Sequence, residues 1–418
     1  MKRKSPDIIP HSTLSAGQGK TRLNRPARNP IINIIFLGLV SLFTDLSTEM
    51  VYPLIPLYLT AVLGATPALV GVIEGIAESA ASLLKVFSGY VSDRFQKKKV
   101  LAFFGYSTGL LYKVVLLFAG SWTGILGARV LDRIGKGVRT APRDVLVSES
   151  ADKDKMGKAF GIHKALDMSG AALGILVAYF ILSSMIGAFD YKRVFLLAMI
   201  PAVVGLCMFL FIREKKDPRP IKGREAFWKN LKGVDKQLKL YLVVVFLFTL
   251  GNSSNAFILL KAYDAGFDMV NVILLYFVFN AVASVLSIPF GRLSDKKGRK
   301  KLLVIGYVVF TVCYLGFGFA SSLWVMLAAF VLYGVHTAMV ACVERAYIAE
   351  IAPPKIKGTM LGLQSTIVGI ALLPASIIAG ILWDSFGATA PFIFGAVLSL
   401  AAALLLGVFM KNRPLEKP

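Results

Sequence analysis

Apolar residues along this chain fall into twelve long runs separated by short polar segments. The runs cover roughly 31–59, 68–91, 99–119, 122–147, 158–186, 193–212, 240–260, 269–290, 302–320, 322–349, 358–383 and 390–410. Each holds about twenty residues or more, the length a helix needs to cross a hydrocarbon layer of about 30 Å. None keeps the strict alternation of a barrel strand, so the pattern predicts helices. The fold class expected is an all-α polytopic membrane protein of twelve spans, and an even number puts both termini on one face.

The fourth run departs from its neighbours. Within it, Arg129, Asp132, Arg133, Lys136, Arg139 and Arg143 step by three or four residues and so line one helix face. A charge turned to lipid is costly, so that face is expected to look onto partners or a water-filled cavity. Other runs carry matching charges: Asp45 and Glu49 in the first, Glu74, Glu78 and Lys85 in the second, Lys113 in the third, and His163, Lys164 and Asp167 in the fifth. A rise of about 1.5 Å per residue puts Glu74 and Arg129 at one level, roughly 9–10 Å from the same face. It puts Glu78, Asp167 and Asp45 with Asp132 and Arg133 near the middle, at roughly 15 Å. The plainest reading is a structural ion-pair network. The functional one makes Asp45, Glu49, Glu74, Glu78, Asp132 and Asp167 candidates for proton coupling. Lys113, Arg129, Arg133 and Lys136 are then candidates to hold an anionic substrate group, while Arg139 and Arg143 snorkel or pair with Asp144 and Glu149.

The later runs differ. Their deep polar residues are mainly neutral, and Asn252, Asn255, Asn280 and His336 are candidate substrate-binding groups. Coupling chemistry is therefore expected in the first half, with hydrogen bonds and apolar surface in the second. A lone His336 is more often a satisfied core histidine than a proton relay.

The polar segments set orientation. Basic residues crowd the first thirty positions, the loops after runs 2 and 8, and the segment 213–239; the opposite side carries only Lys192, Arg193 and Lys261. The positive-inside rule makes the basic face, with both termini, cytoplasmic in an inner or plasma membrane. The expected organisation is a tail at 1–30, a six-helix bundle at 31–212, a linker at 213–239 with Pro218, Pro220 and Gly223, a second bundle at 240–410, and a tail at 411–418. This also explains the net charge of +23 on a 418-residue chain that is 56% hydrophobic. On a soluble protein such charge would suggest nucleic acid; here it marks loops against a lipid bilayer, and no nucleic-acid partner is expected. The three cysteines, Cys207, Cys313 and Cys342, all lie in apolar runs and read as core residues rather than disulfides or metal ligands. No metal spacing, P-loop or nucleophile–base set is found, so no enzyme, no cofactor and no ATP-driven pump is expected.

The halves repeat. Gly89-Tyr-Val-Ser-Asp93-Arg94 follows run 2, and Gly291-Arg-Leu-Ser-Asp295 with Gly298-Arg299-Lys300 follows run 8, at an offset of 202 residues. Gly157-Lys-Ala-Phe-Gly161 and Gly358-Thr-Met-Leu-Gly362 give a weaker match that opens runs 5 and 11. Parallel repeats of this kind are one plan of secondary transporters.

The two loops resemble motif A of the major facilitator superfamily. The second copy matches closely; the first has Gln96 where the motif's second glycine belongs and Val91 where its leucine does. Arg129-Val-Leu-Asp-Arg-Ile-Gly-Lys-Gly137 is similar to the family's fourth-helix motif, with Arg133 in place of a glycine. The resemblance, over about residues 30–410, implies two six-helix bundles related by a pseudo-two-fold axis, with spans 1, 2, 4 and 5 bordering a central cavity. It implies a gating role for Gly89, Asp93, Arg94, Gly291, Asp295 and Arg299, the glycines through close helix approach and the acids through a helix N-terminus. The expected function is secondary active transport of a small solute by alternating access. Proton-coupled efflux is favoured, because motif A with mid-membrane acids resembles drug/proton antiporters. The alternatives are an ion-coupled importer of an organic anion and a non-transporting sensor on the same fold. The expected substrate is anionic or amphipathic, the energy source an ion gradient, and the working unit a monomer.

Overall fold

In a computed structural model, residues 30–95, 98–150, 156–185, 190–214, 235–341, 343–352 and 357–410 are described. The first tail, most of the 213–239 linker and the last tail fall outside them. Among the described residues there are helices and no strands. Fifteen helices make twelve spans: α1 (Pro30–Glu49) with α2 (Leu54–Ala61), α3 (Pro67–Phe95), α4 (Lys98–Phe118), α5 (Trp122–Ser150), α6 (Met156–Ser183) and α7 (Tyr191–Leu210) form the first six. The next six are α8 (Lys236–Gly251) with α9 (Ala256–Asp264), α10 (Met269–Lys297), α11 (Arg299–Phe319), α12 (Leu323–Val340) with α13 (Val343–Ile351), α14 (Lys357–Phe386) and α15 (Ala390–Phe409).

Eleven spans are long and apolar enough to cross a membrane on composition alone; the twelfth is α5, whose charged face removes it from that class. It crosses all the same, because that face is covered by protein. Arg129, Asp132, Arg133 and Arg139 are all buried. Around the outside, Phe118, Phe180, Val285 and Trp324 are among the exposed large apolar residues, as a surface toward lipid tails requires.

The halves match element by element. α3 and α10 both have 29 residues, and α4 and α11 both have 21. The first span of each half breaks at the same level. Pro53 has no backbone N–H and restricts Tyr52, so α1 ends and α2 starts anew. At an offset of 202, Asn252–Asn255 interrupts α8 and α9. α3 packs on α14, and α6 on α10. Those contacts exchange under the pseudo-two-fold, since spans 2 and 11 become 8 and 5.

Close approach fixes the register between the halves. A Cβ at Gly75 would lie 3.0 Å from the Leu373 carbonyl oxygen, and one at Gly71 would overlap the Ser376 carbonyl. The Ser79 hydroxyl donates to the Gly369 carbonyl at 2.6 Å, and the Ala68 amide donates to Asp384 Oδ2 at 3.2 Å. α3 and α14 therefore stay zipped from the face opposite the basic loops down to about Ser82. There α2 also meets α9, closing the halves on that side.

The two halves are filled differently. The second is an aromatic core: Phe248 stacks on Tyr307 at 4.1 Å and Phe310 on Tyr314 at 3.9 Å, with Phe317, Tyr333 and Phe392 around them. The first places charges at the corresponding depth.

Candidate substrate and coupling site

Glycines bring the charged face of α5 against its neighbours. A Cβ at Gly137 would come within 2.8 Å of Leu84 Cβ and 2.9 Å of the Ala81 carbonyl oxygen on α3. One at Gly135 would collide with Thr108 on α4. With those contacts made, the α5 charges meet partners from α1, α3 and α6.

The deepest pair is Arg129 with Glu74. Arg129 Nε and Nη2 donate to Glu74 Oε1 and Oε2 at 2.8 and 2.7 Å, a fork-to-fork contact with both side chains 0% exposed. The Ser254 hydroxyl, from the break between α8 and α9, donates to Glu74 Oε2 at 3.3 Å, so the pair touches both halves. One turn on, Arg133 Nη2 meets Glu78 Oε1 at 2.7 Å. Asp132 sits between the arginines, 3.7 Å from Arg129 and 3.8 Å from Arg133. The Tyr52 ring lies under both guanidiniums at 5.0 and 5.6 Å and faces the Tyr276 ring of the other half at 6.1 Å.

Further toward the basic face, Arg139 lies 3.9 Å from Asp45 and 4.7 Å from the Tyr106 ring centre. Arg143 contacts Asp144 at 2.9 Å and Asp167 at 3.9 Å, and Lys164 reaches Asp167 at 2.7 Å. The Asp45 and Asp167 carboxyls, on α1 and α6, lie close enough to act on each other electrostatically. Several polar atoms of this layer are buried with no hydrogen-bond partner among the described residues: Glu49 Oε2, Tyr112 Oη, Arg129 Nη1, Asp132 Oδ2 and Arg133 Nε.

The structure thus gathers Glu74, Glu78, Asp132, Arg129 and Arg133 into one cluster, and half-buried Asp45 and Asp167 into a second with Arg139 and Arg143; Glu49 makes no ion pair with either among the described residues. Level along the helix pairs Glu74 with Arg129 and Glu78 with Arg133. It does not pair Asp45 and Asp167 with Arg133; these turn to Arg139 and Arg143. Lys113 is fully buried, and its ammonium donates to the Gly109 carbonyl of its own helix at 2.9 Å. Lys136 is exposed in a cavity of about 120 Å³ that Glu78 and Lys85 also line.

The polar residues of the second half sit among aromatics. Tyr314 Oη and Tyr333 Oη donate to Asn252 and Asn255 at 3.4 and 2.8 Å, and Asn280 donates to the Tyr276 carbonyl at 2.9 Å. His336 Nδ1 lies 2.9 Å from the Gly306 carbonyl oxygen, with its ring against Phe310 at 4.8 Å. It is a satisfied core histidine.

The surroundings of Gly89 and the side chains of Asp93, Arg94 and Asp295 fall outside those described. Among the described residues Gly291 makes no close helix approach, since a Cβ would meet nothing within 4 Å. Arg299 Nη1 contacts Glu350 Oε2 at 2.9 Å and the Ala346 carbonyl at 3.3 Å, tying the start of α11 to α13. Its counterpart 201 residues earlier is the Lys98–Glu149 contact between α4 and α5. Each of these contacts lies within one half.

Sequence reasoning passed over Tyr52, Ser254, Tyr276 and the polar cavity beyond them. Pro53 and the run Asn252-Ser-Ser-Asn255 were the available signals for the two helix breaks.

The fold is two pseudo-symmetric six-helix bundles that span a membrane, the first of them carrying the charged layer. The chain belongs to the major facilitator superfamily, whose family model matches residues 37–285 and 241–418. It is 36% identical over 397 residues to an uncharacterized MFS-type transporter of Methanocaldococcus jannaschii, covering 94% of this chain and 98% of that one. The multidrug resistance protein MdtG of Enterobacter lignolyticus is 22% identical over 397 residues, covering 91% and 92%. Among solved structures, a variant of the nucleoside transporter NupG superposes with a TM-score of 0.76 at 11% identity, over 91% of this chain and 100% of that one. That likeness is one of fold.

Proposed function

We propose that this chain is a proton-coupled secondary transporter that exports a small solute by alternating access, with the basic face toward the cytoplasm. The observation that carries the reading is the placing of the Asp45 and Asp167 carboxyls, on α1 and α6, as neighbours beside Arg139 and Arg143. Two carboxylates repel at that range unless a proton lies between them, so the pair is a place to hold one proton within the membrane. Arg139 at 3.9 Å from Asp45 and Arg143 at 3.9 Å from Asp167 stand ready to stabilise the deprotonated form. Glu49, with a buried oxygen lacking a partner among the described residues, sits one turn beyond Asp45 and extends the path toward Lys136. Glu74 and Glu78, each held by an arginine, keep α3 and α5 together while the halves rock. The weak similarity to a multidrug resistance protein supports export.

The test uses energised everted membrane vesicles and a panel of amphipathic organic anions and cations. A transported compound dissipates the pH gradient in vesicles containing the protein. Asp45→Asn and Asp167→Asn are expected to abolish that response while leaving counterflow exchange intact. A panel without effect, or variants that respond as wild type, would contradict the reading.

A further inference from the structure

A second feature lies on the basic-face side of the buried layer. Below Ser82 the zipped helices α3 and α14 diverge and leave a cavity of about 380 Å³, framed by Ser82, Lys85, Glu344, Arg345, Gln364 and Ser365. The 120 Å³ cavity that holds Lys136 adjoins it through Ser82 and Lys85. Lys85 comes from α3, Lys136 from α5 and Arg345 from α13, so both halves contribute. None of the three is in an ion pair among the described residues. Of the carboxylates that line the two cavities, Glu78 meets Arg133 at 2.7 Å and Glu344 accepts from the Tyr307 hydroxyl at 2.8 Å; Glu49 and Asp144 stand behind the walls. Leu361 and Val368 add apolar wall, and Ser82, Gln364 and Ser365 add neutral hydrogen-bonding groups.

Three cations face the joined cavity with no salt bridge among the described residues, and Lys85 and Arg345 repel each other across the division between the halves. We infer that this cavity binds the anionic head of a small amphipathic solute, a carboxylate, sulfonate or phosphate monoester, and that the bound anion draws Lys85 and Arg345 together to close the basic face. The inference rests on the alternating-access reading and names the substrate class for it. The guanidinium of Arg345 suits the planar or tetrahedral oxygens of such a head, and the lysines add point charge. The volume fits a head group with one ring or a short chain. Empty, the repulsion keeps the mouth open; filled, the anion replaces it with attraction from both halves. A ligand that favours the closed state through differential contacts is what the rocking of two bundles needs. With the basic face cytoplasmic, an inside-negative membrane potential favours exit of the anion as well as entry of the proton.

The test uses the full chain in nanodiscs of zwitterionic lipid, with phenyl phosphate as probe and benzyl alcohol and phenyltrimethylammonium as neutral and cationic comparators. Phenyl phosphate is expected to bind and the comparators not. Lys85→Gln and Arg345→Gln should each weaken binding by roughly tenfold or more, as loss of a close charge in a partly desolvated site does. Lys85→Arg and Arg345→Lys should retain most of the affinity, and Lys301→Gln, exposed on the same face, all of it. Absence of binding, indifference to both neutral substitutions, or preference for the cation would overturn the inference. Loss of phenyl phosphate binding when phosphatidylglycerol is added to the nanodisc would assign the cavity to a lipid headgroup and overturn it also. A thiol at Ser365→Cys, in a chain freed of its other cysteines, reports closure. Phenyl phosphate should protect it from an impermeant reagent. Protection that varies with pH but not with phenyl phosphate would leave alternating access standing and remove the anion. Binding with the expected residue dependence, but with labelling constant under every condition, would instead remove the alternating-access reading beneath it.

Discussion

The Glu74–Arg129 pair makes the clearest demand on stability. Both side chains are 0% exposed and the contact is bidentate at 2.7 and 2.8 Å, so neither ion has water to fall back on. Unit charges about 4 Å apart interact by about 4 kcal/mol at an effective dielectric near 20, and breaking a buried pair from one side costs about 3–5 kcal/mol. Glu74→Gln leaves Arg129 with Asp132 at 3.7 Å, which puts its cost at the low end, about 3 kcal/mol. Arg129→Gln leaves Glu74 with only the Ser254 hydroxyl at 3.3 Å, which puts its cost at the high end, about 4–5 kcal/mol. The double variant replaces two buried ions by two amides that can bond each other. It should cost less than either single change, giving a coupling energy of at least about 4 kcal/mol. The assay is reversible unfolding in mixed micelles titrated with a denaturing detergent. Single losses below about 1 kcal/mol, or a double loss equal to the sum of the singles within about 0.5 kcal/mol, would refute the reasoning.

Three further outcomes are expected. Gly137→Val should force α5 away from α3, costing about 1–3 kcal/mol and abolishing transport, while Gly127→Val, in open space, changes neither unfolding nor vesicle transport. His336→Gln should lower stability through its aromatic neighbours but leave the pH profile of transport unmoved, because its ring nitrogen faces the Gly306 carbonyl rather than a proton path. Arg299→Gln should cost about 1 kcal/mol or less in the same unfolding assay, since its ion pair with Glu350 is partly exposed and lies within one half.

Much of this arrangement was legible in the residues. Span number, the halves and the inward turn of α5 follow from run length, a 202-residue repeat and the cost of charge in lipid. Depth at a fixed rise per residue brought Glu74 level with Arg129 and Glu78 level with Arg133. The same arithmetic misplaced Asp45 and Asp167, because level along a helix does not give its rotation or tilt. Asp45 faces the inner side of α5 at Arg139, and Asp167 follows it. Tyr52 was hidden for a different reason. A tyrosine before a proline reads as the end of a helix, and only the fold shows its ring beneath two arginines. The cavity of Lys85 and Arg345 joins residues 260 positions apart on opposite halves. One sequence offers no periodicity that links them.

The measurement that bears most directly on the account is a pair of spin-label distances in the full chain. Labels at Val100 and Lys301 span the halves on the basic face, and labels at Val62 and Asp264 span them on the other. All four positions are exposed. The account predicts two populations at each face, changing in opposite senses when pH is shifted or phenyl phosphate is added: as the basic-face distance shortens, the other lengthens. A single unchanged distance on both faces under all these conditions would contradict a transporter that works by rocking its two bundles.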